Sequence, residues 1–249
     1  MVPTRTTTTT QTAPVSVGPS RGRAAPATTY IFTASGQLES ATNTAGTTTY
    51  TYDALGNLRT VALPSAETVA YVVDGQNRRV GRMVDNVLVT GWLYEDGLRI
   101  AAELDFNAQG QVTSVKRFGY GSKANVPDLM VMQDGTRYRI LSDHLGSPRM
   151  VVAEIGGAIT ARMDYAEFGR VLVNTQPGLL PFGFAGGLYD ADTRLVRFGV
   201  RDYDSLTGRW TARDPLRFAG GDATLYTYAR SDARAYRAWR SWRGRSVAS

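Results

Sequence analysis

The side chains best equipped for chemistry crowd one segment, Arg201 to Pro215, which reads RDYDSLTGRWTARDP. It sets Asp202, Asp204 and Asp214 among Arg201, Arg209 and Arg213. Two carboxylates held close together share one proton, so that one acts as base toward a water and the other as acid, with an arginine tuning the pair. The rest of the inventory is thin. There is no Cys, which removes disulfides, thiolate metal sites and a Cys nucleophile. A Ser-His-Asp site would have to use His144, the single His, whose setting in SDHLGSPR reads as a turn or packing residue without further metal ligands. The acids of GGLYDADT and GDATLY lack the spacing of a calcium-binding loop, and no glycine-rich loop followed by Lys is there to cradle phosphate. The sequence points to no cofactor and no metal.

The elements that must position this segment are short strands. The 249 residues hold 26 Gly and 13 Tyr with many Thr and Val, the composition of turns and pleated surfaces, so an all-β chain is expected. The clearest unit is TTTYTYDALGNLRTVAL (47–63), with alternating Tyr50 and Tyr52, an Asp53 to Asn57 turn, and alternating Leu58, Thr60 and Ala62. The pattern returns at 70–86, 91–121, 137–157, 161–174 and 187–210. Aligning the acid that follows the aromatic gives Asp53, Asp74 and Glu95, each 21 apart, and then Asp143 and Asp164, again 21 apart. That period predicts stacked hairpins, each burying its face against its neighbours, with the acid accepting backbone N–H groups and Gly or Asn supplying positive φ.

These units resemble YD repeats, and the stretch from Ser142 resembles the core of RHS-repeat proteins, including the C component of insecticidal toxin complexes and bacterial polymorphic toxins. The carriers are DHLGSPRMV (143–151), YAEFGRVL (165–172) and the run from Pro181 to Ala229. The resemblance implies a β strip that spirals into a hollow shell around a C-terminal toxin, closed by the core as a plug. It also implies an aspartyl autoprotease, with Arg201 matching the arginine of an R-x-Y-D segment and Asp214-Pro215 matching a first DPxG-like motif, although Arg217 stands where Gly is common. The second DPxGL aspartate is missing: beyond Tyr228 the only acid is Asp232, and no Pro follows it. The expectation is a structural shell fragment with an autoprotease remnant that does not cleave itself. Its expected partners are upstream RHS repeats and an enclosed toxin. A self-cleaving core, or a cell-surface carbohydrate or contact module, is the alternative.

The division that follows is a disordered Thr/Pro-rich segment at 1–29, divergent YD/RHS repeats at 30–141, the RHS-associated core at 142–229 and an Arg-rich tail at 230–249. The net charge of +6 resides at the two ends, +3 in 1–29 and +5 in 230–249, leaving 30–229 at −2, which argues against a nucleic-acid face on the body. The tail reads as a cationic interfacial helix at a membrane, a phosphate-binding segment, or a frame-shifted end, the last being favoured because the family pattern breaks off abruptly. By resemblance the protein is secreted or surface-delivered, and no signal peptide is visible. A strip cut from its neighbours is expected to associate through its open edges.

Overall fold

The computed structural model describes residues 28–213. The first 14 strands form one antiparallel sheet in strict sequence order. They are β1 (Thr29–Phe32), β2 (Leu38–Asn43), β3 (Gly46–Tyr52), β4 (Leu58–Ala62), β5 (Thr68–Val73), β6 (Arg79–Val84) and β7 (Val87–Tyr94), then β8 (Ile100–Phe106), β9 (Val112–Gly119), β10 (Leu129–Met132), β11 (Arg137–Ser142), β12 (Pro148–Ala153), β13 (Ile159–Tyr165) and β14 (Val171–Asn174). A second sheet of four strands follows, in the order β15 (Leu188–Tyr189), β16 (Leu195–Phe198), β17 (Arg201–Asp204) and β18 (Arg209–Trp210). The all-β strip of hairpins expected from the repeats is what is found. It is not closed: β1 and β14 each pair on one side only among the described residues.

One turn is used again and again. The N–H of its first residue donates to the carbonyl four residues on, and the N–H of its fourth residue donates back to the first, as at Asp53, Asp74, Asn107 and Asp143. The fourth residue has positive φ, 86° at Gly56, 62° at Asn77 and 94° at Gly146, a conformation that Gly and Asn adopt at little cost. The acid serves a second purpose. Asp53 Oδ1 accepts the N–H groups of Leu55 and Asn57, Asp74 Oδ1 those of Gln76 and Arg78, and Asp143 Oδ1 those of Leu145 and Ser147. This satisfies donors that the sheet ladder cannot reach. Because consecutive strands are antiparallel, the turns at Thr33, Asp53, Asp74, Glu95, Asp143 and Ala166 all lie along one edge of the strip, and the 21-residue spacing is one strand out and one strand back.

Two acids of the aligned series sit differently. Asp164 lies within β13, in ion pairs with Arg149 and Arg162 at 2.8 Å, and the turn it was expected to shape starts two residues later at Ala166. At the Glu95 turn the capping carboxylate is that of the next residue: Asp96 Oδ1 accepts from Leu98 and Arg99, and these bonds outweigh burial to hold it at about 2. Between Glu95 and Asp143 the period is broken by the loop 120–128, which takes the place of a tight turn between β9 and β10. The expected boundary at 141/142 falls inside β11.

One face of the strip is covered by the chain that follows β14. Trp92, Phe118, Met130, Ile140, Val151 and Met163 form its main cluster, joined by Phe182 and Leu188, with the Phe182 ring edge-on to Phe118 at 5.0 Å. Each fully buried side chain of this size contributes on the order of 1.5–3 kcal/mol. The crossing segment is tied down by Lys116, whose Nζ donates to Gly178 O at 2.8 Å and to Glu103 Oε1 at 2.7 Å. The opposite face of β2 to β4 carries threonines instead, with hydroxyl pairs Thr42–Thr47 and Thr51–Thr60 across the strands.

Candidate functional site

Arg201, expected to serve the autoprotease, lies in β17 opposite Phe198, with its guanidinium 4.0 Å from the centroid of the Trp210 ring. Asp214, Pro215, Arg217 and Asp232, like the segments 1–27 and 214–249, lie outside the described residues. His144 is exposed as the second residue of the Asp143 turn. The acids of GGLYDADT, Asp190 and Asp192, are bound by arginine: both pair with Arg82. Among the described residues no group of three or more His, Asp or Glu is placed to hold a metal ion.

The polar chemistry that the fold does assemble lies at the seam where the second sheet meets the acid-turn edge of the strip. At its centre is Asp202 of β17, whose two oxygens accept from Arg79 of β6 at 2.8 Å and from Arg197 of β16 at 2.9 Å, all three side chains being at most 3% exposed. Arg197 reaches on to Asn57 Oδ1 at 2.9 Å and Asn77 O at 3.2 Å, and so touches two successive turns of the strip. Asn57 in turn donates to Asp53 and to Asn77 Oδ1. The Arg79 guanidinium carbon lies over the Tyr71 ring, 3.4 Å from its centroid.

A second group stands beside it. Asp190 accepts from Arg82 Nε at 2.9 Å and from the Tyr71 hydroxyl at 2.8 Å, and caps its own turn by accepting from Asp192 and Thr193 N–H. Burial alone would raise its carboxyl, but Arg82, the Thr193 N–H and Tyr71 outweigh that and hold it below the ordinary carboxylate value. Asp204 goes the other way. It accepts from Leu206 N–H and the Thr207 hydroxyl, and its burial still pushes the carboxyl up.

The seam continues along the edge. Leu38 N–H donates to Thr211 O at 2.7 Å, Tyr203 donates to Phe168 O at 2.9 Å, and Ala185 N–H donates to the Ser147 hydroxyl at 2.9 Å. Asn125 of the 120–128 loop donates to both Leu145 O and Ala185 O. Gly169 permits a very close approach: a Cβ there would stand 2.2 Å from Phe184 Cγ, and its φ is 85°. With each buried carboxylate engaged by guanidinium, hydroxyl or backbone N–H, the arrangement is suited to fixing one sheet on another. It offers no shared-proton pair among the described residues. Sequence reading missed Arg79, Arg197 and Asp202 as a group; the available signal was charge at inward positions of strands, Arg79 beside Val80 and Asp202 beside Tyr203.

Comparison with known proteins gives one architecture. The family model described as Teneurin YD-shell matches residues 24–233. Teneurin-3 of Mus musculus is 30% identical over 171 residues, 68% of this chain and 6% of that protein, and Teneurin-3 of Danio rerio is 38% identical over 86 residues, 34% of this chain and 3% of that protein. The chain thus spans a small part of the relatives it matches. Among solved structures, the crystal structure of TcdB2-TccC3 superimposes with a TM-score of 0.59 at 16% identity, over 83% of this chain and 13% of that one, a likeness of fold. Both of these sequence relatives are teneurins of vertebrates, whereas the resemblance read from the sequence included bacterial polymorphic toxins.

Proposed function

This chain belongs to the Teneurin YD-shell family, and from that membership we propose that it is a stretch of shell wall carrying the element that closes the wall at its C-terminal side. The observation that carries the reading is the docking of the four-stranded sheet on the turns of the strip. Fourteen strands in sequence order make a wall, and a sheet keyed by Arg79, Asp202 and Arg197 into successive turns makes a fixed closure rather than a mobile appendage.

The finer reading keeps the division into YD/RHS repeats at 30–141, an RHS-associated core at 142–229 and segments of other character at 1–29 and 230–249. In it the chain is part of a toxin-enclosing shell, with Arg201 and Asp214 as remnants of an aspartyl autoprotease whose second DPxGL aspartate does not occur among residues 215–249. What supports this is the family pattern of the residues from Asp143 to Ala229 and the lack of a Pro-flanked acid after Tyr228. Intact mass spectrometry after long incubation at pH 4–7 is expected to return the full 27.1 kDa chain. A fragment ending beyond Asp214 that disappears in Arg201→Ala would overturn the remnant and favour a working protease. For the wall itself, electron microscopy of the complete gene product should show a hollow particle, and a solid or beaded one would overturn the reading.

A further inference from the structure

The sequence holds two copies of one turn, DALGN (53–57) and DHLGS (143–147), and two copies of the tetrapeptide FAGG, at 184–187 and 218–221. The first FAGG covers the second of these turns. We propose that the other FAGG, residues 218–221, docks on the Asp53 turn, with Phe218 against Leu55. The occupant is a segment of this chain outside the described residues, and its seat lies wholly within them.

Each residue of the first FAGG answers to its surroundings. Phe184 is buried in the cluster against which Leu145 packs. Ala185 donates its N–H to the Ser147 hydroxyl, and its carbonyl accepts at 2.9 Å from the Asn125 amide, which also holds Leu145 O at 2.9 Å. Gly186 has a φ of 75°, and a Cβ there would run into Asn125 O, while a Cβ on Gly187 would run into Val196. Only small residues fit after the phenylalanine, and the second copy repeats all four positions.

The Asp53 turn offers the same seat uncovered. Gly56 and Gly146 share a positive φ, and in each turn the aspartate caps the N–H groups two and four residues on. Over each turn glycine stands a side-chain amide from a neighbouring segment. At Gly146 it is Asn125, packed so closely that a Cβ would overlap it; at Gly56 it is Gln37, whose Nε2 lies 3.5 Å from the place a Cβ would take. Asn125 clamps the first FAGG, whereas Gln37 Nε2 donates to nothing among the described residues. Leu145 is half-buried, whereas Leu55 is 78% exposed. The turns differ at their last residue. Ser147 receives Ala185 N–H, but Asn57 is already taken by Arg197, which leaves Leu55 and the Gln37 amide to hold the second copy.

The chain arrives at the right place. Thr211 O accepts from the N–H of Leu38, the neighbour of Gln37, so the second sheet ends beside the seat. Phe218 follows seven residues later, a stretch that spans up to about 23–25 Å. Covering Leu55 removes apolar surface from water, and closing so short a loop costs little entropy. The docking stands whether or not the strip encloses a toxin.

The absence of Cys makes engineered pairs unambiguous reporters. In the full chain, Leu55→Cys with Phe218→Cys should oxidise to an intrachain disulfide at least tenfold faster than Ile155→Cys with Phe218→Cys. Ile155 is a fair control, being 92% exposed in the β12–β13 turn on the opposite edge of the strip. Gln37→Ala should slow the first pair and leave the second unchanged. Hydrogen exchange gives a reading without cysteines: the amides of 218–221 should exchange at least tenfold faster in Leu55→Asp than in the wild type, while those of 184–187 keep their rate. Equal oxidation rates in the two pairs, a disulfide that joins two chains, or unchanged exchange of 218–221 in Leu55→Asp would overturn the docking.

Discussion

Asp202 is held by two guanidinium groups in a place almost without water, and the seam depends on that balance. Removing one partner of a buried ion pair strands the other charge, which costs about 3–5 kcal/mol. Asp202→Asn leaves Arg79 and Arg197 facing each other uncompensated, and urea unfolding should show a loss of that size. Asp190 adds a pH dependence whose sign follows from its depressed value. Its folded carboxyl titrates below the ordinary carboxylate value of 3.8 because Arg82, the Thr193 N–H and Tyr71 outweigh burial. The stability it contributes is complete above the unfolded value and is lost as pH falls through the lower folded one. Asp190→Asn should therefore be less stable than the wild type at pH 6, with the gap narrowing as pH falls below 3.8; a gap of constant size across that fall would remove the carboxylate from the account.

At the scale of elements, the recurring turn explains most of the sequence pattern and predicts a gain. Its fourth position has positive φ, and the turn that starts at Leu63 fills it with Ala66 at 71°. An alanine there costs roughly 1–2 kcal/mol of strain, part of which the looser unfolded chain of a glycine would cancel. Ala66→Gly should raise stability by about 0.5–1 kcal/mol in urea unfolding, whereas most glycine substitutions in strands lower it. The hairpins and their acid turns were legible in the sequence because the information is local: Asp53, Gly56 and Asn57 lie within five residues, and the aromatic alternation marks the strands before and after them. Asp164 misled because the aromatic-acid pair recurs in β13 without the turn geometry, and only the Gly169 position shows that the turn begins at Ala166. The docking pairs were not legible. Arg79 meets Asp202 and Arg197 meets Asn57 across more than a hundred residues, and no spacing rule connects such positions.

At the scale of the whole molecule, an open strip has two edges whose N–H and C=O groups invite another strand. On β14, Leu172 is 54% exposed and Val173 40%, so this edge is apolar as well as unpaired among the described residues. Sedimentation should show concentration-dependent association of the isolated chain, and Val173→Lys should raise the dissociation constant about tenfold, equivalent to about 1.4 kcal/mol. A wild-type chain monomeric at all concentrations would contradict this. The bond from Leu38 N–H to Thr211 O has a different consequence, one of timing. The strip can pair hairpin by hairpin as it leaves the ribosome, each contact local and fast, but the second sheet is made last and binds the strands made first. Closure of the seam thus reports that translation has passed Trp210 with every earlier turn in register. A chain stopped short of Leu195 keeps its wall and lacks that checkpoint.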